Sequence, residues 1–206
     1  MPAPEPAGLF RLDELAHAAI CRAIRALPAD IAPTLLDATA GNGHDTRFLA
    51  ELTGQGTLYA FDVQESALAA TRERLQDLPH SSLDIRLILD SHAHLARHIR
   101  GPVHAALFNL GFLPGSDKTI TTQRASTLAA QRALEPLMAP EGLISAHLYT
   151  GHAGGLDEAH AVLDWAAALP RKDWYVLHTA QWNKPCNMEH LLLIARRGDN
   201  PSPIHR

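Results

Sequence analysis

Short apolar runs rich in β-branched and aromatic residues alternate along this chain with longer amphipathic stretches. The runs predict strands over residues 34–38, 57–61, 85–89, 103–108, 143–148, 175–179 and 191–195. Between them, apolar positions recur at helical spacing over 46–51, 65–76, 93–99, 121–137 and 156–168, and an amphipathic segment at 12–27 precedes the first strand. Strands separated by helices indicate parallel βαβ units with right-handed crossovers. The last two runs depart from that rhythm, because only the turn-like stretch 181–189 separates them. They read as an antiparallel pair closing one edge of the sheet. The expected architecture is therefore α/β: a seven-stranded, mostly parallel, Rossmann-like sheet with helices on both faces and an antiparallel terminal hairpin.

Composition adjusts this picture only slightly. Of 206 residues, 46% are hydrophobic and 19% charged, which supplies ample core for one domain. Residues 1–8 read as a Pro- and Ala-rich arm, 9–199 as the domain and 200–206 as a tail. No apolar run is long enough to span a bilayer and no basic-then-apolar leader opens the chain, so a cytoplasmic protein without membrane contact is expected. Cys21 and Cys186 have no partners at metal-ligand spacing and read as free thiols. The net charge of −4 argues against a strongly basic nucleic-acid coat but leaves room for a local patch.

The most informative stretch is Leu35-Leu36-Asp37-Ala38-Thr39-Ala40-Gly41-Asn42-Gly43-His44-Asp45-Thr46, a strand running through a glycine-bearing turn into a helix. Gly41 and Gly43 let the backbone turn sharply and approach a ligand closely. Asp37 is positioned to face a ligand's amino group, directly or through water, and the helix start to hold its carboxylate. A dinucleotide fold would place a third small residue where Thr46 stands, which weakens a nicotinamide-cofactor reading. Asp62, ending the second predicted strand in Phe61-Asp62-Val63-Gln64, is suited to accept hydrogen bonds from both ribose hydroxyls, with Gln64 assisting. Together these motifs indicate S-adenosylmethionine (SAM) as cofactor. Ser91 and His92, at the end of the third strand, are candidates for contact with the adenine edge, or simply end the strand.

Beyond the fourth strand, Asn109 stands where its side-chain oxygen, with a backbone carbonyl, would aim an amine lone pair at the sulfonium methyl. The loop that follows holds Phe112, a candidate for substrate contact, with Asp117 and Lys118. Asp117 is a further catalytic candidate, and Lys118 would meet a substrate phosphate; the two are equally an exposed ion pair. Tyr149 and His152 follow the fifth strand, and Asn183 lies in Gln181-Trp182-Asn183-Lys184-Pro185; all are candidates for stacking on or bonding to a base. His92, His94 and His98 are candidate metal ligands by residue type, but no carboxylate or Cys completes a convincing set, so no metal is expected.

In order along the chain, Asp37–Thr46, Phe61–Gln64, Asn109–Lys118 and Tyr149–Gly155 resemble the MnmM (YtqB-like) tRNA methyltransferases, over residues 12–195. The resemblance implies a class I SAM-dependent fold, often a homodimer, that converts 5-aminomethyl-uridine, commonly 2-thiolated, to 5-methylaminomethyl-uridine at the tRNA wobble position in the anticodon stem-loop. It also implies that Asn42, His44, Asp62, Gln64, Ser91 and His92 contact SAM. The chain departs from the family pattern at Phe112, where Tyr is usual, at Ser116 for glycine, at Ala180 before Gln181, and at Cys186 for a proline. Those changes lie on the acceptor side. The alternatives are the same fold acting on rRNA or on a small amine, or a non-catalytic RNA-binding module that keeps SAM as a structural ligand.

Overall fold

The computed structural model describes residues 11–78, 82–111, 121–181 and 189–198. Seven strands form one sheet: β1 (Thr34–Asp37), β2 (Gln55–Asp62), β3 (Ser82–Leu89), β4 (Val103–Leu110), β5 (Met138–Tyr149), β6 (Trp174–Ala180) and β7 (Glu189–Arg196). Their spatial order is β3-β2-β1-β4-β5-β7-β6. All neighbours from β3 to β5 are parallel, and β7 runs antiparallel to both β5 and β6. The terminal pair is therefore the expected hairpin, with its second strand inserted inside and its first left at the edge.

The strands at the centre read as unbroken apolar runs because both faces are covered. In β1 and β4, Leu35, Ala105 and Leu107 face one core layer with Ile20, Ile24 and Leu49. Their neighbours Leu36, Ala106 and Phe108 face the other, with Leu95, Leu134 and Val162. The first layer is closed by α1 (Leu12–Arg25) and α2 (His44–Leu52), and the second by α4 (Leu95–His98), α5 (Arg124–Leu134) and α6 (Gly155–Ala168); α3 (Glu65–Arg74) completes the β2–β3 crossover. Helix α1 buries Leu12, Ala16, Ile20 and Ile24, a four-residue spacing that yields one apolar stripe, and lies over β4, β5 and β7.

Among the differences from the expected boundaries, three have a clear local reason. The helix expected over 121–137 is α helical only to Leu134 and ends in a 3₁₀ turn, Glu135–Leu137, because Pro136 disfavours continuation of the α conformation. Strand β5 starts at Met138, five residues before the expected 143. Its opening contains Pro140 and Gly142 and a left-handed Glu141 (φ 63°), turn-like residues that mask an irregular pairing with β4. The segment expected as one helix over 93–99 is a 3₁₀ turn, His92–His94, followed by α4; Ser91 caps it by accepting the Ala93 N–H at 3.2 Å. Among the described residues no helix is long and apolar enough to cross a membrane.

Candidate active site

Strand order reverses between β1 and β4, so their carboxyl ends open a crevice, the place where open α/β sheets bind ligands. The turn after β1 lies there. Its first anchor is Asp37, which is fully buried. One Asp37 oxygen accepts the Thr39 N–H at 3.1 Å and the other the Thr46 hydroxyl at 2.6 Å. Asp37 thus braces the turn from beneath, and Thr46, the residue that breaks a dinucleotide fingerprint, is its partner. Burial, then the nearby Asp45 charge, push the Asp37 carboxyl well above the ordinary carboxylate range.

A second carboxylate ties this turn to β2. Asp62 accepts the Gly41 N–H and the Gln64 N–H, each at 2.9 Å, so it is held rigidly at the strand end. From α3, the Thr71 hydroxyl donates to the Gly41 carbonyl at 3.1 Å and Arg74 Nε to the Asn42 carbonyl at 2.6 Å. Gly41 and Gly43 take positive φ, 53° and 77°, and Gly43 precedes α2 with no side-chain cap on the helix. Backbone N–H groups of the first turn of α2 are therefore directed into the crevice. Exposed His44 opens the helix there.

His92 lies under the same turn. It is buried, its Nδ1 bonds the Ala38 carbonyl at 3.2 Å, and its ring meets Phe108 edge-on at 6.1 Å. Burial lowers its pKa, so the ring is the neutral tautomer with Nδ1–H donating, and the buried Nε2 is an acceptor with no hydrogen-bond partner among the described residues. A carboxylate does accompany the other two histidines: Asp90 accepts from His94 Nδ1 at 2.7 Å and His98 Nε2 at 2.9 Å, and these bonds lower its pKa to about 2. The sequence pairing missed it because Asp90 sits outside the helical stretch. Among the described residues no group of three or more such side chains is placed to hold a metal ion.

On the other wall of the crevice, the Asn109 backbone N–H donates to the Thr39 hydroxyl at 2.8 Å, fastening β4 to the β1 turn. Asn109 Nδ2 donates to Asp45 Oδ2 at 2.5 Å, and Asp45 Oδ1 is 2.7 Å from His17 Nε2 on α1. This orients the amide with its nitrogen toward Asp45 and leaves Oδ1 as its acceptor end. Next to Asn109 in the sheet is His147, whose Nδ1 bonds the Tyr149 hydroxyl at 3.1 Å, with the rings stacked at 4.2 Å. Burial lowers the His147 pKa and raises that of Tyr149, so His147 is neutral and Tyr149 a phenol that donates to it. The Tyr149 ring packs on Gly111, which follows β4.

The structure thus brings Asp37, Gly41, Asn42, Gly43, His44, Asp62, Gln64, Ser91 and His92 around one half of the crevice, and Asn109 and Tyr149 around the other. His152 instead bonds the Ala153 carbonyl at 3.1 Å and packs against Gly155, in the turn that starts α6. Phe112, Asp117, Lys118 and Asn183 lie outside the described residues. Sequence reasoning did not assign roles to His17 and Asp45. Asp45 stood in the quoted loop motif, but nothing local distinguishes His17 among 13 histidines.

The fit with SAM rests on the donor set: a helix start with uncapped N–H groups for a carboxylate, an acid at the end of β2 for ribose hydroxyls, and the crevice at the carboxyl ends of β1 and β4 beside them. The fold and this crevice define a class I SAM-dependent methyltransferase. A family model described as "Putative rRNA methylase" matches residues 58–195. The chain is 33% identical over 162 residues to a chloroplastic tRNA (mnm(5)s(2)U34)-methyltransferase of Arabidopsis thaliana, covering 74% of this chain and 59% of that protein. It therefore spans about three fifths of the length of that relative. The putative rRNA-methylase of Clostridium thermocellum superposes with TM-score 0.81 at 33% identity, over 89% of this chain and 96% of that one. A putative methyltransferase from Streptococcus mutans in complex with SAH gives TM-score 0.79 at 33% identity, over 92% and 99%. The chain belongs to this rRNA-methylase family of SAM-dependent methyltransferases.

Proposed function

We propose that this protein methylates the primary amine of 5-aminomethyl-uridine, including its 2-thiolated form, at the tRNA wobble position. The observation that carries the proposal is the orientation of Asn109. With Nδ2 held by Asp45, Oδ1 is the group that faces an incoming amine at the mouth of the crevice, beside the cofactor turn. Accepting one amine N–H there fixes the nitrogen and directs its lone pair along the line of transfer, which is the main requirement of this reaction. The Arabidopsis relative, named for a wobble-uridine methylation, supports the tRNA class of acceptor.

Bound SAM supplies an activated methyl group on a sulfonium. The N–H groups at the start of α2 would hold its carboxylate and Asp62 its ribose, while Gln64, Ser91 and His92 surround the adenosine end. The acceptor would be the neutral amine: Asn109 Oδ1 would accept one of its N–H groups, its lone pair would receive the methyl group that SAM supplies, and the proton lost from nitrogen would pass to solvent.

The test is transfer of labelled methyl from SAM to tRNA from cells lacking this modification, read by nucleoside mass spectrometry. Label in 5-methylaminomethyl-uridine is the expected result; label only in rRNA or in small amines would overturn the substrate assignment. Asn109→Ala should cut turnover by about 100-fold, a loss typical of a misplaced reactant, while keeping SAM affinity within about twofold. Near-normal turnover in that variant would remove Asn109 from the mechanism.

A further inference from the structure

We propose that His17 is a positioning residue of the methyl-transfer site: from α1 it holds the Asp45 carboxylate, and through Asp45 the Asn109 amide, in the orientation that receives the acceptor amine. The inference rests on the reading of Asn109 just given.

Three elements distant in the chain meet in this contact. His17 Nε2 lies 2.7 Å from Asp45 Oδ1, and Asp45 Oδ2 accepts Asn109 Nδ2 at 2.5 Å. The imidazole is fixed in plane as well as in distance, because it stacks on Phe48 with centroids 3.8 Å apart and planes 7° from parallel. Asp45 and Phe48 are three residues apart on α2, so one helix face presents both the acid and the platform. An acid in the first turn of a helix is ordinary, and by itself would serve the helix dipole. Here, however, its two oxygens are turned to α1 and to β4. Nor is His17 needed to dock α1, whose apolar stripe of Leu12, Ala16, Ile20 and Ile24 already does so.

The charge on Asp45 decides which end of the Asn109 amide faces the substrate. As a carboxylate, Asp45 only accepts, so it must take Nδ2 and leave Oδ1 outward. Protonated, it would donate to Oδ1, the amide would turn over, and an NH₂ group would meet the amine. His17 guards against that state. Burial opposes the Asp45 charge, but hydrogen bonds from His17 and Asn109 outweigh it and lower the Asp45 pKa, against a smaller contribution from Asp13. Burial likewise opposes protonation of His17, yet Asp45, with Asp13 and Glu14 on its own helix, raises its pKa. Buried Asp37 also feels the Asp45 charge from beneath the turn. The pair is thus an imidazolium and a carboxylate over a wider pH range than either group alone would allow.

The test compares His17→Ala and His17→Gln in the full chain. Turnover is measured on tRNA bearing 5-aminomethyl-2-thiouridine, SAM affinity by calorimetry, and the Asn109 carboxamide by ¹⁵N–¹H resonances followed with pH. His17→Ala should lose about 10- to 100-fold in kcat, with SAM affinity within about twofold. The pH at which the Asn109 resonances titrate should rise, because Asp45 has lost its cation. His17→Gln keeps an N–H for Asp45 without the charge, so it should recover most of kcat while the titration stays displaced. Unchanged kcat in His17→Ala, or a loss that glutamine does not relieve together with an unmoved titration, would overturn the proposal. Should His17→Ala fail to fold, His17→Gln alone decides through its displaced titration. Should wild-type protein leave the aminomethyl-uridine unmethylated, the substrate reading fails, and the Asn109 titration in the two variants still judges the role of His17.

Discussion

Gly43 offers the sharpest test of how the cofactor turn is built. Its φ is 77°, and a Cβ added there would lie 2.7 Å from Thr71 Cα, 3.0 Å from Thr71 Oγ1 and 3.1 Å from Thr71 Cβ. The nearest of these is backbone in α3, so no rotamer change relieves it. Thr71 is itself fully buried and holds the Gly41 carbonyl. Gly43→Ala therefore combines the left-handed backbone penalty, about 1–2 kcal/mol, with overpacking of about 1–3 kcal/mol. A loss near 3 kcal/mol corresponds to a fall in Tm of about 6–12 °C for a domain of this size.

Gly154 provides the control. Its φ is 81° at the start of α6, but an added Cβ would meet nothing within 4 Å among the described residues. Gly154→Ala carries the backbone penalty alone, so the difference between the two variants isolates the contact with Thr71. Urea unfolding measures both, and calorimetry with SAM measures the consequence for binding. Gly43→Ala should lose SAM affinity, since relief of the contact moves the start of α2 away from α3, whereas Gly154→Ala should bind as wild type. A Gly43→Ala variant no less stable than Gly154→Ala would refute the argument.

Two further outcomes follow from buried and paired carboxylates. Glu158 on α6 is buried and accepts the Thr127 hydroxyl at 2.5 Å and the Thr122 hydroxyl at 2.7 Å. Glu158→Ala strands a buried hydroxyl and should cost about 2 kcal/mol in urea unfolding, with Glu158→Gln costing less because it keeps an acceptor. Equal losses would show that packing rather than hydrogen bonding is at stake. Asp90 is held at about 2 by His94 and His98, below its unfolded value. A depressed carboxylate contributes stability that is full above the unfolded pKa of about 3.9 and lost as pH falls through the folded value. The stability difference between wild type and Asp90→Asn should therefore be flat above about pH 5 and shrink toward about pH 2. A difference that persists unchanged through that window would contradict the pairing.

The fold was legible wherever one physical pattern ruled. Strands β1 and β4 announced themselves as continuous apolar runs because both faces are covered. The hairpin showed in the short spacing between the last two runs, but not that β7 would insert between β5 and β6 and leave Tyr175, Val176 and Leu177 of β6 exposed at the edge. The start of β5 was hidden because Pro140 to Gly142 have turn chemistry and form the irregularity between Met138, which pairs with Val103, and Leu143, which pairs with Ala105.

The two halves of the crevice differ in the same way, and the reason is topological. The cofactor half is made of a few consecutive residues at the ends of β1 and β2, so spacing alone brings Asp37, Gly41, Gly43 and Asp62 together. Even there, burial changes a role: Asp37, expected to face the ligand, spends both oxygens on Thr39 and Thr46 and acts as the brace of the turn. The half proposed to receive the acceptor is assembled across the fold. Asp45 is 28 residues from His17 and 64 from Asn109. Each of the three has an ordinary local explanation: a polar residue on an amphipathic helix, an acid in a first helical turn, an amide at a strand end. Their relation exists only once α1 lies across the carboxyl end of β4, and that placement is dictated by Leu12, Ala16, Ile20 and Ile24, residues with no chemistry of their own. The apolar stripe of α1 therefore does double service, closing the first core layer and delivering His17 to Asp45 at the carboxyl end of β4.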